Sequence, residues 1–233
     1  MPASISGRSF LRLTAVHNLP LLCVLVTTLA ASPLCFAKPG NGNAWSGDDW
    51  RYSETRNDTR EFAPGGSIHV RMTVGDVHIK RGDSTKIRLQ YTVKSRRESN
   101  VKDATVDFDV HGNEANIEFH APSNSNTEFD VELEVPGTTN LDVHEKVGEL
   151  TVDNIEGDKD LNLGVGDIRV NLGRTGYRVV NASTGIGDVS GTVSGDERGE
   201  VSGWLGKTLK YHGEGKYELR AHVGVGDIHL EGK

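Results

Sequence analysis

The chain has 233 residues, of which 35% are hydrophobic and 25% charged, and a formal net charge of −7 at pH 7. An acidic chain without a basic tract argues against nucleic acid as a partner and against electrostatic binding to anionic lipid. Its two cysteines, Cys23 and Cys35, both fall in an N-terminal segment expected to be removed, which leaves no disulfide framework and no cysteine-ligated metal.

In that segment Arg8 and Arg12 precede an apolar stretch from Leu19 to Ala31, followed by Pro33 and the tripeptide Cys35-Phe36-Ala37. Basic flank, short apolar core and small-residue site, in that order, predict a secretory signal peptide over residues 1–37. The apolar core is about 13 residues long, short of the ~20 that cross a bilayer. Acylation of Cys35 is disfavoured, because Leu34 stands where a lipoprotein site needs a small residue. Cleavage would leave 196 residues with no membrane-spanning segment and a net charge of about −9. The product is expected to be exported, either to the periplasm or to the cell surface and beyond.

Residues 38–63 read as a flexible linker. Lys38-Pro39-Gly40-Asn41-Gly42-Asn43 is turn-forming, and the charge-rich stretch after it lacks an apolar period. Trp45 and Trp50 interrupt it; packing back onto the domain is their expected role and contact with a ligand the alternative.

From Ser67 onward the period is two. Ile68, Val70, Met72 and Val74 alternate with polar residues, as do Ile87, Leu89, Tyr91 and Val93, and later Phe129, Val131, Leu133 and Val135. Alternation of this kind predicts half-buried strands, and the Gly, Asn, Asp and Pro residues between the runs predict turns. No stretch has a helical period, and Ser95–Lys102 reads as a charged loop. The predicted class is all-β, as one domain over residues 64–233: a longer-strand part over 64–136 and a repeat part over 137–233.

The repeat is a corner. Val147-Gly148-Glu149-Leu150, Val165-Gly166-Asp167-Ile168, Ile186-Gly187-Asp188-Val189 and Val225-Gly226-Asp227-Ile228 are versions of one unit, with glycine intervals of 18, 21 and 39. Leu205-Gly206-Lys207 would be a degenerate copy that divides the long interval. Units near twenty residues predict a β-solenoid whose successive coils stack as parallel ladders. The alternation places Leu219, Ala221, Val223 and Val225 on one side before the corner, and Ile228 and Leu230 on the same side after it; Leu161, Leu163 and Val165, then Ile168 and Val170, repeat the pattern. The Gly-Asp pair is thereby expected to bend the chain so that both arms face one interior.

These corners, the entry through Val135-Pro136-Gly137 and the earlier Val74-Gly75-Asp76-Val77 resemble the DUF4097-type "putative adhesin" domain of exported bacterial proteins, over about Ser67 to Leu230. The resemblance implies a β-helical fold and a cell-envelope location, and it carries no catalytic set.

The residues expected to form the structural corners are Gly75, Asp76, Gly148, Glu149, Gly166, Asp167, Gly187, Asp188, Gly226 and Asp227. Stacked carboxylates at Asp167, Asp188 and Asp227 suggest Ca²⁺ as the minor alternative to no cofactor at all. The leading expectation is that glycine supplies a positive φ while aspartate accepts backbone hydrogen bonds. His69, His78, His144, His222 and His229 fall on polar strand positions without a zinc spacing. Arg81-Gly82-Asp83-Ser84 is expected to be a plain turn between strands. No nucleophile elbow or nucleotide loop is present. The function predicted is therefore a non-enzymatic binding or structural protein of the envelope or cell surface, with an envelope protein or polysaccharide as partner. The alternatives are a carbohydrate-active β-helix enzyme and a self-assembling envelope scaffold.

Overall fold

The computed structural model describes residues 50–83, 85–174, 176–194 and 199–233. The predicted signal peptide, the linker residues before Trp50, and Trp45 lie outside them. The fold is all-β, and among the described residues a single short helix accompanies the strands.

Its centre is a ladder of in-register copies. Strands β2 (Ser67–Arg81), β7 (Asn140–Asp153) and β8 (Lys159–Gly173) pair in parallel, with Gly75 opposite Gly148 and Gly148 opposite Gly166. β9 (Tyr177–Ile186) and β10 (Val189–Thr192) are the two arms of another copy, as are β13 (Tyr217–Val225) and β14 (Ile228–Gly232). β13 and β14 lie parallel to β8 on one side, and to β9 and β10 on the other.

Chain order and spatial order therefore agree for β2, β7 and β8 and then part. The C-terminal copy inserts between β8 and β9–β10, so the pairing does not give coils stacked in strict succession. The copy expected at Leu205-Gly206-Lys207 is the reason. Gly206 has no positive φ, and β12 (Thr208–His212) runs antiparallel to β9 and pairs with β11 (Glu200–Ser202). That hairpin covers one edge of β9. The returning chain then takes the remaining edge, where it finds hydrogen-bond partners on both sides.

The other end of the ladder is an excursion of the chain between the first copy and the second. β6 (Thr127–Val135) lies parallel to the second arm of β2, β3 (Lys86–Ser95) antiparallel to β6, and β1 (Tyr52–Glu61) antiparallel to β3. β5 (Glu114–His120) lies parallel to the first arm of β2 and forms a hairpin with β4 (Thr105–His111). Position 136 is thus not a structural boundary, because β2 belongs to the same ladder as β7 and β8.

Two further expectations are corrected. Tyr52–Glu61, inside the predicted linker, is a ten-residue strand; it is polar on both faces and so shows no alternation. Its order comes from the ladder to β3 and from Arg56, whose guanidinium donates to Val101 O and Ala104 O at 2.9 and 2.7 Å. Within the predicted charged loop, Glu98–Asp103 forms helix α1, which buries Val101 alone and is too short to show a period. Trp50 is half-buried.

The interior side of each arm is aliphatic. Along β8, Leu161 and Leu163 are buried, as are Ile168, Val170 and Leu172; the four residues Gly164–Asp167 are not. The same gap recurs in β7, in β9–β10 and in β13–β14. The corner is therefore four residues wide, not two, and it takes the valine out of the core. Val165 and Val225, expected inside, are 47% and 46% exposed. At the excursion end the interior is aromatic, with the Tyr91, Phe119 and Phe129 rings 5.3 to 6.4 Å apart.

Candidate functional site

The corner begins with its glycine. Gly166 and Gly226 have φ of +130° and +135°, and a Cβ on Gly226 would fall 1.9 Å from Gly166 O. A side chain there would strain its own backbone and collide with the neighbouring strand.

The acidic residue that follows is used by the next copy. Asp76 Oδ1 accepts from Glu149 N–H at 3.1 Å, Asp167 Oδ1 from Asp227 N–H at 3.0 Å, and Asp227 Oδ1 from Asp188 N–H at 2.7 Å. Each is a charge-assisted bond across the ladder, satisfying an amide that the corner turns away from its regular partner. The five carboxylates stand in the spatial order Asp76, Glu149, Asp167, Asp227, Asp188. Arg169 pairs with Glu149 and lies 3.8 Å from Asp167, and Lys207 Nζ lies 2.8 Å from Asp188. The structure thus brings all ten corner residues named from the sequence to one edge, with Asp227 between Asp167 and Asp188.

Parallel to the carboxylates, across the glycines, runs an aliphatic row. Val74 faces Val147, Val147 faces Val165, Val165 faces Val225 and Val225 faces Ile186. Their exposures in that order are 37, 44, 47, 46 and 53%. Leu205 stands next to the end of the row, since Leu205 O accepts from Gly187 N–H, and it is 59% exposed. Among the described residues, the large exposed hydrophobic side chains outside this row and Leu205 are Tyr52, Val201 and Trp204, the last 92% exposed.

An open groove of about 510 Å³ runs beside the row. Thr73, Lys146, Gly164 and Gly224, each immediately before a row residue, line it, as do His144 and His222. Glu118, Phe119 and Glu145 also border it.

Two titratable groups occupy interior rows. Glu145 sits between Met72 and Leu163, is 5% exposed, and neither carboxylate oxygen has a hydrogen-bond partner. Burial, reinforced by the Asp76 charge, pushes its pKa up to about 8, so it holds its proton at neutral pH. Lys159 is equally buried but fully partnered. Its Nζ donates to Ile155 O, Gly157 O and Tyr177 Oη at 2.7, 3.0 and 2.7 Å. Burial pushes the Lys159 pKa down to about 7 and raises that of the Tyr177 hydroxyl. Both positions lie on the inward parity of their strands, so the sequence held the signal: Leu141, Val143 and Glu145 alternate, as do Lys159, Leu161 and Leu163.

The five histidines named from the sequence lie on the outward faces and are tied down there. His69 Nδ1 and His144 Nε2 flank Asp142 at 2.8 and 2.9 Å, and His78 Nε2 meets Asp153 at 2.7 Å. His222 and His229 each pair with a serine, Ser183 and Ser190, at 3.1 Å. Among the described residues, Asp76, Glu128 and Asp130 come together closely enough to share a cation, and Lys94 already pairs with Glu128 and Asp130. At Arg81-Gly82-Asp83, Asp83 Oδ1 accepts from Thr85 N–H at 3.1 Å, which holds the carboxyl below its usual range; Ser84 lies outside the described residues. No described helix is long and apolar enough to cross a membrane.

No family model and no curated relative matches the chain. Among solved structures it is similar to a "putative cell adhesion protein" from Clostridium sporogenes, at 16% identity over 77% of this chain and 100% of that one, with a TM-score of 0.47. It is also similar to a "putative adhesin" from Bacteroides fragilis, at 12% identity over 76% and 97% of the two chains, with a TM-score of 0.29. A "putative lipid binding protein" from Parabacteroides distasonis follows, at 10% identity over 83% and 98%, with a TM-score of 0.24. These three solved structures are of bacterial proteins named for adhesion or binding.

Proposed function

We propose that the protein is an exported, non-enzymatic binding protein of the bacterial envelope or cell surface, working through the outside of a two-armed β-solenoid whose last coil is inserted rather than appended. The observation that carries this reading is the repetition of surface chemistry in register. Carboxylates and aliphatic side chains each recur from strand to strand along one edge. A surface with a period of ~4.8 Å engages a partner by many similar contacts, not by one reactive constellation. An envelope protein or polysaccharide fits such a surface, and Ca²⁺ is not needed to satisfy the corner amides, because Asp76, Asp167 and Asp227 already accept from them.

The test is capture. The purified protein, immobilised, is incubated with solubilised envelope and compared with the same protein heat-unfolded on the matrix. Selective retention of one protein or glycan is expected; equal retention by the two matrices would refute the reading.

The carbohydrate-enzyme reading has one observation in its favour. Glu118 and Glu145 both border the groove, and Glu145 holds its proton to about pH 8, as a general acid must. Against it, the Glu145 carboxylate packs into the corner, where a Cβ on Gly148 would fall 2.0 Å from its Oε1, and the aromatic of the groove, Phe119, is buried. Hydrolysis of a glycan panel that disappears in Glu145→Gln would restore the enzyme reading.

A further inference from the structure

We infer that the aliphatic row Val74–Val147–Val165–Val225–Ile186 is a docking ridge for an amphipathic helix that is apolar on one face and basic on one flank. The inference rests on the binding reading above and names the partner's chemistry.

The first argument is continuity. Single exposed apolar side chains are ordinary on a protein surface, but an unbroken row of them is not. Five branched aliphatic residues face one another in register across five strands, and Leu205 stands at the end of the line. The alternation that buries Met72, Leu163 and Val223 stops short of this row, so the fold does not use it as core.

The second argument is spacing. Neighbouring strands stand ~4.8 Å apart, so the five-strand ridge is ~19 Å long. An α-helix presents one apolar position per turn, every 5.4 Å, and needs about 13 residues to span that length. An extended strand presents same-face side chains only every ~6.7 Å and falls out of step within three strands. The groove beside the ridge, floored by Gly164 and Gly224, leaves room for the helix's bulkier apolar side chains.

The third argument is charge. The far side of the glycines carries five carboxylates, against which the edge sets Arg169 and Lys207. Arg71 and Lys146, on the groove side together with Glu118, do not reverse that excess. The whole chain is also acidic, at −7, which disfavours a second copy of itself and anionic lipid and favours a cationic polypeptide.

The test uses a fluorescein-labelled 18-residue peptide with Leu at helical a and d positions, Lys along one flank and Gln elsewhere. Fluorescence anisotropy with the purified native protein is expected to show saturable binding. Replacing Lys by Glu, or scrambling the order at constant composition, is expected to weaken binding at least 10-fold. The triple variant Val147→Thr/Val165→Thr/Val225→Thr keeps side-chain shape and β-branching and is expected to lose at least 10-fold without a change in melting midpoint. Asp167→Asn/Asp227→Asn keeps the hydrogen-bond acceptors and is expected to weaken binding and flatten its salt dependence. Equal binding of the scrambled peptide, or an unaffected triple variant, overturns the inference. So does a ridge-dependent dimer in size-exclusion chromatography, or a ridge that binds neutral phosphatidylcholine vesicles but not the peptide. If the triple variant still captures the same envelope component as the wild type, the ridge inference falls and the binding reading stands. If neither captures anything, it is the binding reading that fails.

Discussion

Two rows of the ladder, two residues apart in the chain, invert the usual relation between polarity and burial. The inner row is Met72–Glu145–Leu163–Val223–Thr184, buried between the arms and interrupted by an unpartnered carboxyl. The outer row is Val74–Val147–Val165–Val225–Ile186, uniformly aliphatic and half open to water. By composition alone the second row would be the core. The difference shows that in a bent ladder the corner decides burial. A positive-φ glycine turns the chain over, and whatever stands just before it is left outside.

The sharpest way to break this comparison is to place the same polar residue in each row. Leu163→Asn is expected to cost about 4 kcal/mol or more, by leaving an amide in an apolar site and a cavity around it. Val165→Asn should cost no more than about 1 kcal/mol, mostly β-propensity. Urea denaturation of the two variants measures the contrast, and equal losses would mean that the rows are misassigned.

Glu145→Met tests the misfit in the inner row and has a pH signature. Below about pH 4.5 the carboxyl is protonated in the folded and unfolded chains alike. Between there and about pH 8 the unfolded chain releases the proton while the folded chain keeps it, so wild-type stability falls as pH rises. Glu145→Met removes that slope and should stabilise by about 3 kcal/mol at pH 8, and by much less at pH 4.5. Lys159 slopes the other way between about pH 7 and 10.5. The difference between variant and wild type across pH, read by thermal melting, is therefore the quantity to compare; a flat difference would show that Glu145 finds a partner in solution.

The smallest effect belongs to the corner carboxylates. Asp227→Ala removes the acceptor for Asp188 N–H and should cost about 1–2 kcal/mol, whereas Asp227→Asn keeps the acceptor and should cost less than half of that. A large, calcium-dependent loss in both variants would point instead to a metal-binding role for the row.

Much of this fold was legible. Strict alternation located β2, β3, β6, β8, β13 and β14, and the Gly-Asp spacing located the corners, because both reflect local geometry repeated in every copy. β1 and α1 were not legible, since one is polar on both faces and the other buries a single valine. For the candidate site, the glycines and carboxylates are legible in the sequence, but the ridge is not. Alternation was carried one step too far at Val165 and Val225, because nothing in the local sequence marks a corner as four residues wide.

What the sequence determined by itself is the strand class, the repeat and the chemistry of each corner position, since these depend on period and on glycine's freedom at positive φ. Only the tertiary structure decided that the last copy enters between β8 and β9, that Gly206 belongs to an antiparallel hairpin, and that the corner valines face water. Those outcomes depend on which strand edge is still free when the chain returns and on how far the arms splay at the turn. Both are set by distant parts of the chain, so no window of sequence contains them.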